Sequence, residues 1–250
     1  LKLRNAGLGV FSSLVRSLGA LLEIKALQFA DSIITVSKTI AFQIRETGYK
    51  KSVYICGNGI NIGSKQYKGG EKIYDAIYVG RIDEGKGVKE LIRLWYDVVQ
   101  KIPNSKLCIV GTGLLLDYCK SEARRYGMLN KNVFFKGHVT ESKLRELYGK
   151  TKIFVTCSKT EGWNLSVGEA LVNGLIVISY NLPIYHEIYE HLIGKYIHVA
   201  NSRQEFIKLV LKYLNSDVKV DRVEVINFLK EKYNWETVIK PLIDLIRKII

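Results

Sequence analysis

The chain has 250 residues, of which 47% are hydrophobic and 25% are charged. These fractions are ordinary for a globular protein and exclude a disordered chain, and no apolar run approaches the roughly 20 residues that a membrane span needs. The formal net charge of +14 at pH 7 is high and indicates an anionic partner such as a nucleotide, a membrane surface or a nucleic acid.

The chain opens on a basic, amphipathic stretch that has two interpretations. One places it on an anionic membrane surface, and the other buries it as a helix of an α/β domain. Short apolar runs then predict strands at Ser32–Val36 and Val53–Cys56, with a helix between them. Because the chain begins at Leu1 and its only methionine is Met128, we expect a fragment in which residues 1–65 end an incomplete N-terminal domain.

Residues 72–222 are predicted to form a second domain, in which apolar runs alternate with amphipathic stretches. The runs are short, rich in Ile, Val and Tyr and mostly free of polar alternation, as in strands covered on both faces. In residues 88–102 the apolar positions recur with a helical period. This order predicts an α/β fold with a doubly wound parallel sheet. The six predicted strands are Tyr74–Val79, Leu107–Val110, Val133–Phe135, Ile153–Cys157, Leu175–Ser179 and Tyr196–Val199.

A linker and two terminal helices are predicted on either side of this domain. The polar, glycine-rich segment Asn61–Glu71 is the predicted linker. Val223–Tyr233 and Trp235–Ile250 are predicted as helices with no strand after them. We expect the apolar face of the last helix to support self-association through Leu242, Leu245, Ile246 and Ile249.

The four cysteines are widely spaced and form no C-x-x-C pair. Cys56, Cys108 and Cys157 fall in apolar, strand-like runs, where a reduced core thiol is the usual role. We therefore expect a cytoplasmic protein, peripheral at the membrane if the N-terminal stretch binds there.

The loop after the first strand of the second domain is similar to a phosphate-binding P-loop. Gly80, Gly85 and Lys86 match that motif, but Gly87 stands where a P-loop has the hydroxyl that ligates Mg²⁺. Arg81 and Lys86 can still bind a diphosphate, as a planar fork and a point charge. The alternative is a pair of solvated surface cations.

Two further loops follow predicted strands. Gly111-Thr112-Gly113 permits close approach of backbone to a ligand. Ser158–Asn164 contains Glu161 and leads into a helix that carries Glu169 and is predicted to end at Asn173-Gly174. Ligands of open α/β sheets bind beyond the carboxyl ends of the strands, so we predict that both glutamates bind one polyhydroxylated ligand. A capping or solvated role for each glutamate is the alternative.

In this order, the Gly80–Gly87 loop, the Gly111–Gly113 loop and the Glu161–Glu169 spacing resemble the retaining GT-B glycosyltransferases of the large family 4, the glycosyl transferases group 1. The stretch ADSIITVSKTIAFQIRETGY, followed by CGNGIN, resembles the end of the family's N-terminal domain. The resemblance covers about residues 25–250. It implies the Rossmann-like, C-terminal donor-binding half of a GT-B enzyme, with residues 223–250 crossing back toward the N-terminal domain.

The resemblance also implies a reaction, which is retaining transfer of a hexose from a UDP- or GDP-linked sugar to a glycan or lipid-linked acceptor, without metal or cofactor. In that reaction Arg81 and Lys86 bind the donor diphosphate, Glu161 contacts the transferred sugar, and Glu169 contacts the ribose. Position 164 is usually glycine in the family, so Asn164 is a departure. The other donor-binding positions implied are Gly80, Gly111, Gly113, His138, Val139, Gly162, Trp163, Asn164 and Leu165.

Other functions have weaker support from the sequence. There is no D-x-D and no G-x-S-x-G motif, and we predict structural or surface roles for His186 and His191. Nucleic acid is not a predicted partner, because the basic residues are dispersed. Two alternatives stay open: another GT-B enzyme such as a nucleotide-sugar epimerase, or a non-catalytic nucleotide-binding subunit that complements a separate acceptor-domain chain. We expect the 250-residue chain to bind donor but not to transfer sugar.

Overall fold

The computed structural model describes residues 22, 24–60, 62 and 71–249. Most of the basic N-terminal stretch and most of the predicted linker lie outside the described residues. The chain divides into two units, Leu1–Gly57 and Asn58–Ile250, and each is described by itself.

The first unit contains the predicted strand, helix and strand. Strand β1 (Ser32–Thr35) runs parallel to β2 (Ser52–Ile55), with helix α1 (Lys38–Glu46) between them in the chain. Helix α1 begins after Ser37, whose side-chain oxygen accepts a hydrogen bond from the amide of Ile40. Such a cap satisfies one of the free amides at a helix start, which is why the helix begins at this point.

The second unit is built on a six-stranded parallel sheet, as predicted. The strand order is β5-β4-β3-β6-β7-β8, which is the doubly wound order of Rossmann-like folds. The chain winds outward from β3 in one direction and from β6 in the other. A crevice therefore opens beyond the carboxyl ends of these two central strands. The strands are β3 (Tyr74–Val79), β4 (Leu107–Val110), β5 (Val133–Gly137), β6 (Thr151–Thr156), β7 (Ile176–Tyr180) and β8 (Ile197–Ala200).

Helices cover the sheet and extend beyond it. Helix α2 packs against α3 and α7, and α5 packs against α8. The predicted apolar face of α2 is confirmed at Val88, Leu91, Ile92, Trp95 and Val98, and Leu94 is buried as well. The helices of this unit are α2 (Val88–Lys101), α3 (Leu116–Arg125), α4 (Glu141–Gly149), α5 (Leu165–Val172), α6 (Pro183–Ile188), α7 (Arg203–Leu214), α8 (Arg222–Tyr233) and α9 (Trp235–Ile249).

Burial along the sheet explains why the apolar runs do not alternate. All four residues of β4 are buried, as are most residues of β3, β6 and β7. The edge strands β5 and β8 are less buried. Inner strands of a parallel sheet have helices on both faces, so both side-chain sets are apolar.

The cysteines are free, and three of them are buried: Cys108, Cys119 and Cys157. The expectation of a core position was wrong for Cys56, which is only half-buried. It follows β2, and most residues of that short strand are exposed. Within the described residues, no helix is long and apolar enough to cross a bilayer.

The last helix presents a mixed apolar face. Leu245 is buried, Ile246 is 46% exposed, and Ile239 and Ile243 are also exposed. The side chain of Ile249 lies outside the described residues. Self-association through this face stays a prediction.

Candidate functional site

Four loops meet at the carboxyl edge of the sheet, where they are joined by backbone hydrogen bonds. The loop after β3 contacts the loop after β4 through Ile82 N and Thr112 O, which are 2.8 Å apart. Gly111 N donates to Gly137 O at 2.8 Å, at the end of β5. Lys159 N, after β6, donates to Gly85 O at 2.9 Å. The predicted loops therefore form one continuous surface around the crevice.

Glycines make this loop packing sterically possible. Gly87 has a φ of +67°, and a Cβ at this position would lie 2.0 Å from the carbonyl oxygen of Cys157. A Cβ on Gly111 would lie 1.9 Å from Gly80 O, and one on Gly113 would lie 2.4 Å from Ile82 O. The Gly111–Gly113 loop thus lies close to the chain's own backbone, and its close approach to a ligand stays a prediction. Side chains at these positions would force the loops apart.

Lys86 and Glu161 form the central ion pair of the site. The Lys86 Nζ lies 2.7 Å from Oε1 and 2.8 Å from Oε2 of Glu161. The two side chains are only 22% and 6% exposed, so water screens this pair less than it would screen a surface pair. Two of the three residues predicted to contact the diphosphate and the transferred sugar are therefore in direct contact.

Arg81, the third of these residues, lies outside this contact. Its side chain is 80% exposed, and its Nε lies 3.3 Å from an Asp83 carboxylate oxygen. The other oxygen of Asp83 accepts a hydrogen bond from the Lys86 amide at 3.1 Å. The buried hydroxyl of Tyr78 donates to the Arg81 carbonyl at 2.7 Å. The backbone of the loop is thus held in place while the guanidinium remains in solvent.

Asn164 begins helix α5 in a left-handed conformation, with φ 65° and ψ 68°. Glycine and asparagine adopt this conformation most readily, so asparagine is well suited to this position. The Asn164 side-chain nitrogen donates to the Tyr185 hydroxyl at 2.9 Å. Leu165 is the first residue of α5, and the positive end of the helix dipole lies here, beside the crevice.

Glu169 lies one turn further along α5 and has a different partner from Glu161. The hydroxyl of buried Tyr148 donates to its Oε2 at 3.2 Å. Burial raises the pKa of Glu169, and the nearby Glu141 charge adds to this, while the Tyr148 hydrogen bond opposes it. The two glutamates thus differ in environment, since Glu161 is paired with a cation and Glu169 with a neutral hydroxyl.

The remaining predicted positions border the same edge. Trp163 is buried, and its ring makes an edge contact with Tyr233 of α8 at 5.1 Å between centroids. Gly162 is half-buried in the loop after β6. His138 is exposed and Val139 half-buried in the loop after β5. The structure therefore places all of these positions at the carboxyl edge of the sheet, and their contacts with a ligand stay predictions.

No cluster of three or more His, Cys, Asp or Glu side chains suited to a metal ion occurs in the part of the chain that the structure describes. His186 Nε2 lies 2.7 Å from the Asn181 side-chain oxygen. This contact agrees with the structural role predicted for His186.

Three residues that support the site were not predicted from the sequence. Tyr148 contacts Glu169, Tyr185 contacts Asn164, and Cys157 provides the carbonyl that requires glycine at position 87. Each contact joins segments far apart in the chain, and no local motif marks any of them.

Residues 63–231 match the family model of the glycosyl transferases group 1. The match covers more than half of the chain. The protein belongs to this family. One relative is an uncharacterised glycosyltransferase of Methanocaldococcus jannaschii, 28% identical over 67% of this chain and 43% of its own. Another is a poly(glycerol-phosphate) alpha-glucosyltransferase of Bacillus subtilis, 32% identical over 49% of this chain and 17% of its own.

Solved structures with the same fold are also glycosyltransferases. S. aureus TarM, in a complex with fondaparinux, alpha-GlcNAc-glycerol and UDP, matches 89% of this chain and 45% of its own with a TM-score of 0.76 at 20% identity. The pneumococcal O-GlcNAc transferase GtfA, in complex with UDP and GlcNAc, matches 88% of this chain and 45% of its own with a TM-score of 0.69 at 14% identity. The chain therefore shares its Rossmann-like α/β fold with these GT-B proteins and spans about half of their length.

Proposed function

We propose that this group 1 glycosyltransferase transfers a hexose from a UDP- or GDP-linked sugar to a glycan or lipid-linked acceptor, with retention and without a metal ion. The observation that carries the proposal is the Lys86–Glu161 pair at the crevice between β3 and β6. It puts a cation suited to a diphosphate next to a carboxylate suited to sugar hydroxyls. A nucleotide sugar carries its diphosphate on one side of the sugar–phosphate bond and its sugar hydroxyls on the other. A neighbouring cation and carboxylate can therefore contact both sides.

Lys86 and Arg81 stabilise the leaving diphosphate. When the diphosphate arrives, Lys86 exchanges a carboxylate for phosphate oxygens, and the exposed Arg81 can turn onto the same phosphates. The start of α5 adds the positive end of a helix dipole. These charges stabilise the negative charge that develops as the sugar leaves, which is electrostatic catalysis by fixed groups.

Glu161 and Glu169 accept hydrogen bonds from the sugar and the ribose. Once Lys86 contacts phosphate, the two oxygens of Glu161 are available to accept hydrogen bonds from sugar hydroxyls. Glu169, one turn further into α5 and held by Tyr148, accepts from the ribose hydroxyls. The backbone of Gly162, Trp163 and Asn164 lies between these carboxylates in the chain. It borders the diphosphate and sugar, while His138 and Val139 border the base.

The comparisons support the ligand classes of this proposal. UDP is present in the TarM and GtfA complexes, and TarM also holds alpha-GlcNAc-glycerol. The Bacillus subtilis relative is named for glucosyl transfer to poly(glycerol phosphate). Free, mostly buried cysteines suit a reducing compartment, so we place the protein in the cytoplasm, where such donors are made.

Nucleotide binding provides the test. UDP, GDP and their hexose conjugates are added to the 250-residue chain in excess EDTA, and thermal unfolding is followed. A ligand at 100 times its Kd stabilises the folded state by about 2.7 kcal/mol, so one nucleotide series should raise the Tm by several degrees. The proposal fails if none of them shifts the Tm, and its metal-free part fails if the shift appears only with Mg²⁺.

A further inference from the structure

A cavity of about 690 Å³ lies at the opposite edge of the sheet from the candidate donor site. Lys72, just before β3, contributes to its wall, as does Lys152 at the start of β6. The cavity is also lined by Gly174, which lies between α5 and β7, and by Arg222, the first residue of α8. The proposed glycosyl transfer uses none of these residues. The cavity is therefore a separate feature of the fold.

The cavity wall is strongly cationic. Lys72, Lys152, Lys219 and Arg222 line it, and Asp217 is the only carboxylate among its described lining residues. Lys152 is neutralised by Asp75, with Nζ 2.8 Å from Oδ1. For the other three cations, the described residues contain no carboxylate at ion-pair distance. An excess of positive charge thus faces the cavity.

Backbone carbonyls hold two of these cations in place. The Lys72 Nζ donates to Gly149 O at 2.9 Å and to Thr151 O at 2.8 Å. The Arg222 Nε donates to Val172 O at 3.0 Å. An ammonium has three N–H donors and a guanidinium five, so both retain donors after these contacts.

Lys72 and Arg222 are also close enough to repel each other. Burial lowers the pKa of Lys72, and the charge of Arg222 lowers it further. A bound anion would remove this repulsion while using the remaining donors. The cavity therefore favours a ligand with several negative oxygens.

Part of the remaining wall is apolar and can contact an organic body, and Asn173, Asn215 and Ser216 add polar groups. Ile153, Ile176, Leu214 and Val218 line the cavity together with Tyr213. The volume falls within the range of small-molecule sites, which are mostly apolar with a few polar groups that orient the ligand. Inorganic phosphate would leave this part of the wall unused.

We propose that the cavity binds a phosphomonoester, with its phosphate among Lys72, Lys219 and Arg222 and its organic body against the apolar wall. A phosphate has three terminal oxygens for the three cations, and charge-assisted hydrogen bonds of this kind are strong. The same chemistry is found in soluble phosphorylated metabolites and in the headgroup of phosphatidic acid, and the experiment below separates these sources.

The test is calorimetric titration of the 250-residue chain with phenyl phosphate and, separately, with inorganic phosphate. The informative variant is Lys219→Ala, because Lys219 is exposed and has no side-chain partner among the described residues, so its loss leaves the fold intact. Lys131→Ala, another exposed lysine outside the cavity, is the matched control. Asp217→Asn removes the one opposing charge, and Lys86→Ala disables the donor site.

Phenyl phosphate should bind wild type, Lys131→Ala and Lys86→Ala alike, and more tightly than inorganic phosphate. Lys219→Ala should raise the Kd about tenfold, as expected for one charge-assisted hydrogen bond, and Asp217→Asn should lower it. The proposal is overturned if phenyl phosphate shows no saturable binding, if Lys219→Ala equals Lys131→Ala, or if Lys86→Ala abolishes binding.

Vesicles identify the source of the phosphate. Phosphatidylcholine vesicles with and without phosphatidic acid are sedimented with wild type and with Lys219→Ala. Sedimentation that requires both phosphatidic acid and Lys219 assigns the cavity to a lipid headgroup. Phenyl phosphate binding without such sedimentation assigns it to a soluble phosphomonoester. If the donor site fails its own nucleotide test, this result still stands, because the cavity shares no residue with that site.

Discussion

Lys86 and Glu161 lie 75 residues apart in the chain, and both carboxylate oxygens of Glu161 contact the Lys86 ammonium, at 2.7 and 2.8 Å. The Glu161 carboxylate lies where a ligand of Lys86 would bind, and the Lys86 ammonium lies where a ligand of Glu161 would bind. In the proposed function, donor binding exchanges this pair for a lysine–phosphate and a glutamate–sugar contact. Breaking the Lys86–Glu161 ion pair costs free energy, and this cost weakens donor binding.

This exchange predicts opposite effects of Glu161→Gln on two ligands. The bare nucleoside diphosphate should bind as well as to wild type or more tightly, because Lys86 no longer has to leave a carboxylate. The nucleotide sugar also gains a free Lys86 but loses the contact with its sugar, so its affinity should fall relative to that of the nucleoside diphosphate by about 1.5–3 kcal/mol, the value of a hydrogen bond to a charged group. Calorimetry with both ligands measures the difference, and Glu231→Gln, an exposed carboxylate, is the control. Equal weakening of both ligands would contradict the role given to Glu161.

Glu169→Gln should weaken the nucleoside diphosphate and the nucleotide sugar alike, because both carry the ribose. The loss should again be about 1.5–3 kcal/mol. Calorimetric titration of this variant beside Glu161→Gln distinguishes the two carboxylates. If Glu169→Gln weakens binding of the nucleotide sugar alone, Glu169 does not bind the ribose.

The same substitution should stabilise the fold at neutral pH. Burial raises the pKa of Glu169 in the folded state, so the ionised carboxylate costs stability above that pKa, and this cost disappears as pH falls below the unfolded value of about 4.3. Glutamine is uncharged and its amide oxygen can accept the Tyr148 hydrogen bond. Thermal unfolding should show a higher Tm for Glu169→Gln at pH 8, with the difference from wild type closing toward pH 4. A lower Tm at pH 8 would be inconsistent with this account.

The fold could be predicted largely from local patterns. The apolar runs identified all eight strands of the described residues, since strands buried on both faces must be apolar throughout. The strand–helix alternation then predicted a parallel, doubly wound sheet, and the Asn173-Gly174 pair correctly marked the end of α5. Cys56 was misjudged because apolarity does not reveal how much of a short, two-stranded sheet is covered.

The site could be predicted only in part, since motifs show which residue types are present and not which of them meet. The Lys86–Glu161 contact depends on β3 and β6 being neighbours in the sheet. The cationic cavity joins Lys72 to Arg222, residues 150 positions apart with no shared motif. Only the topology brings such groups together.

Gly87→Ala should destabilise the protein far more than Gly127→Ala. Both glycines have a φ of +67°, but a Cβ on Gly127 meets no atom within 4 Å, whereas one on Gly87 meets Cys157 O at 2.0 Å. The left-handed conformation costs about 1–2 kcal/mol in either variant. The steric clash should add about 1–3 kcal/mol for Gly87→Ala alone. Urea unfolding compares the stability of the two variants. Equal losses would show that the loops of Gly87 and Cys157 are not tightly packed against each other.

Asn164→Ala should be less stable than Asn164→Gly. Both variants lose the hydrogen bond to Tyr185, but alanine must also adopt the left-handed conformation at φ 65°, which glycine does freely. The difference should be about 1–2 kcal/mol in urea unfolding. If alanine proves the more stable of the two, the backbone at the start of α5 is not held as described.

The central claim is that Lys86 binds the diphosphate of a nucleotide sugar, and titration of Lys86→Ala tests it most directly. The titration uses the nucleoside diphosphate that stabilises the wild type, with excess EDTA, at 20 mM and 500 mM salt. Lys101→Ala, an exposed lysine at the far end of α2, is the control. Lys86→Ala should weaken binding about tenfold or more, and by a larger factor at low salt because charge interactions are screened at high salt. Unchanged affinity in Lys86→Ala, beside an unchanged control, would contradict the account.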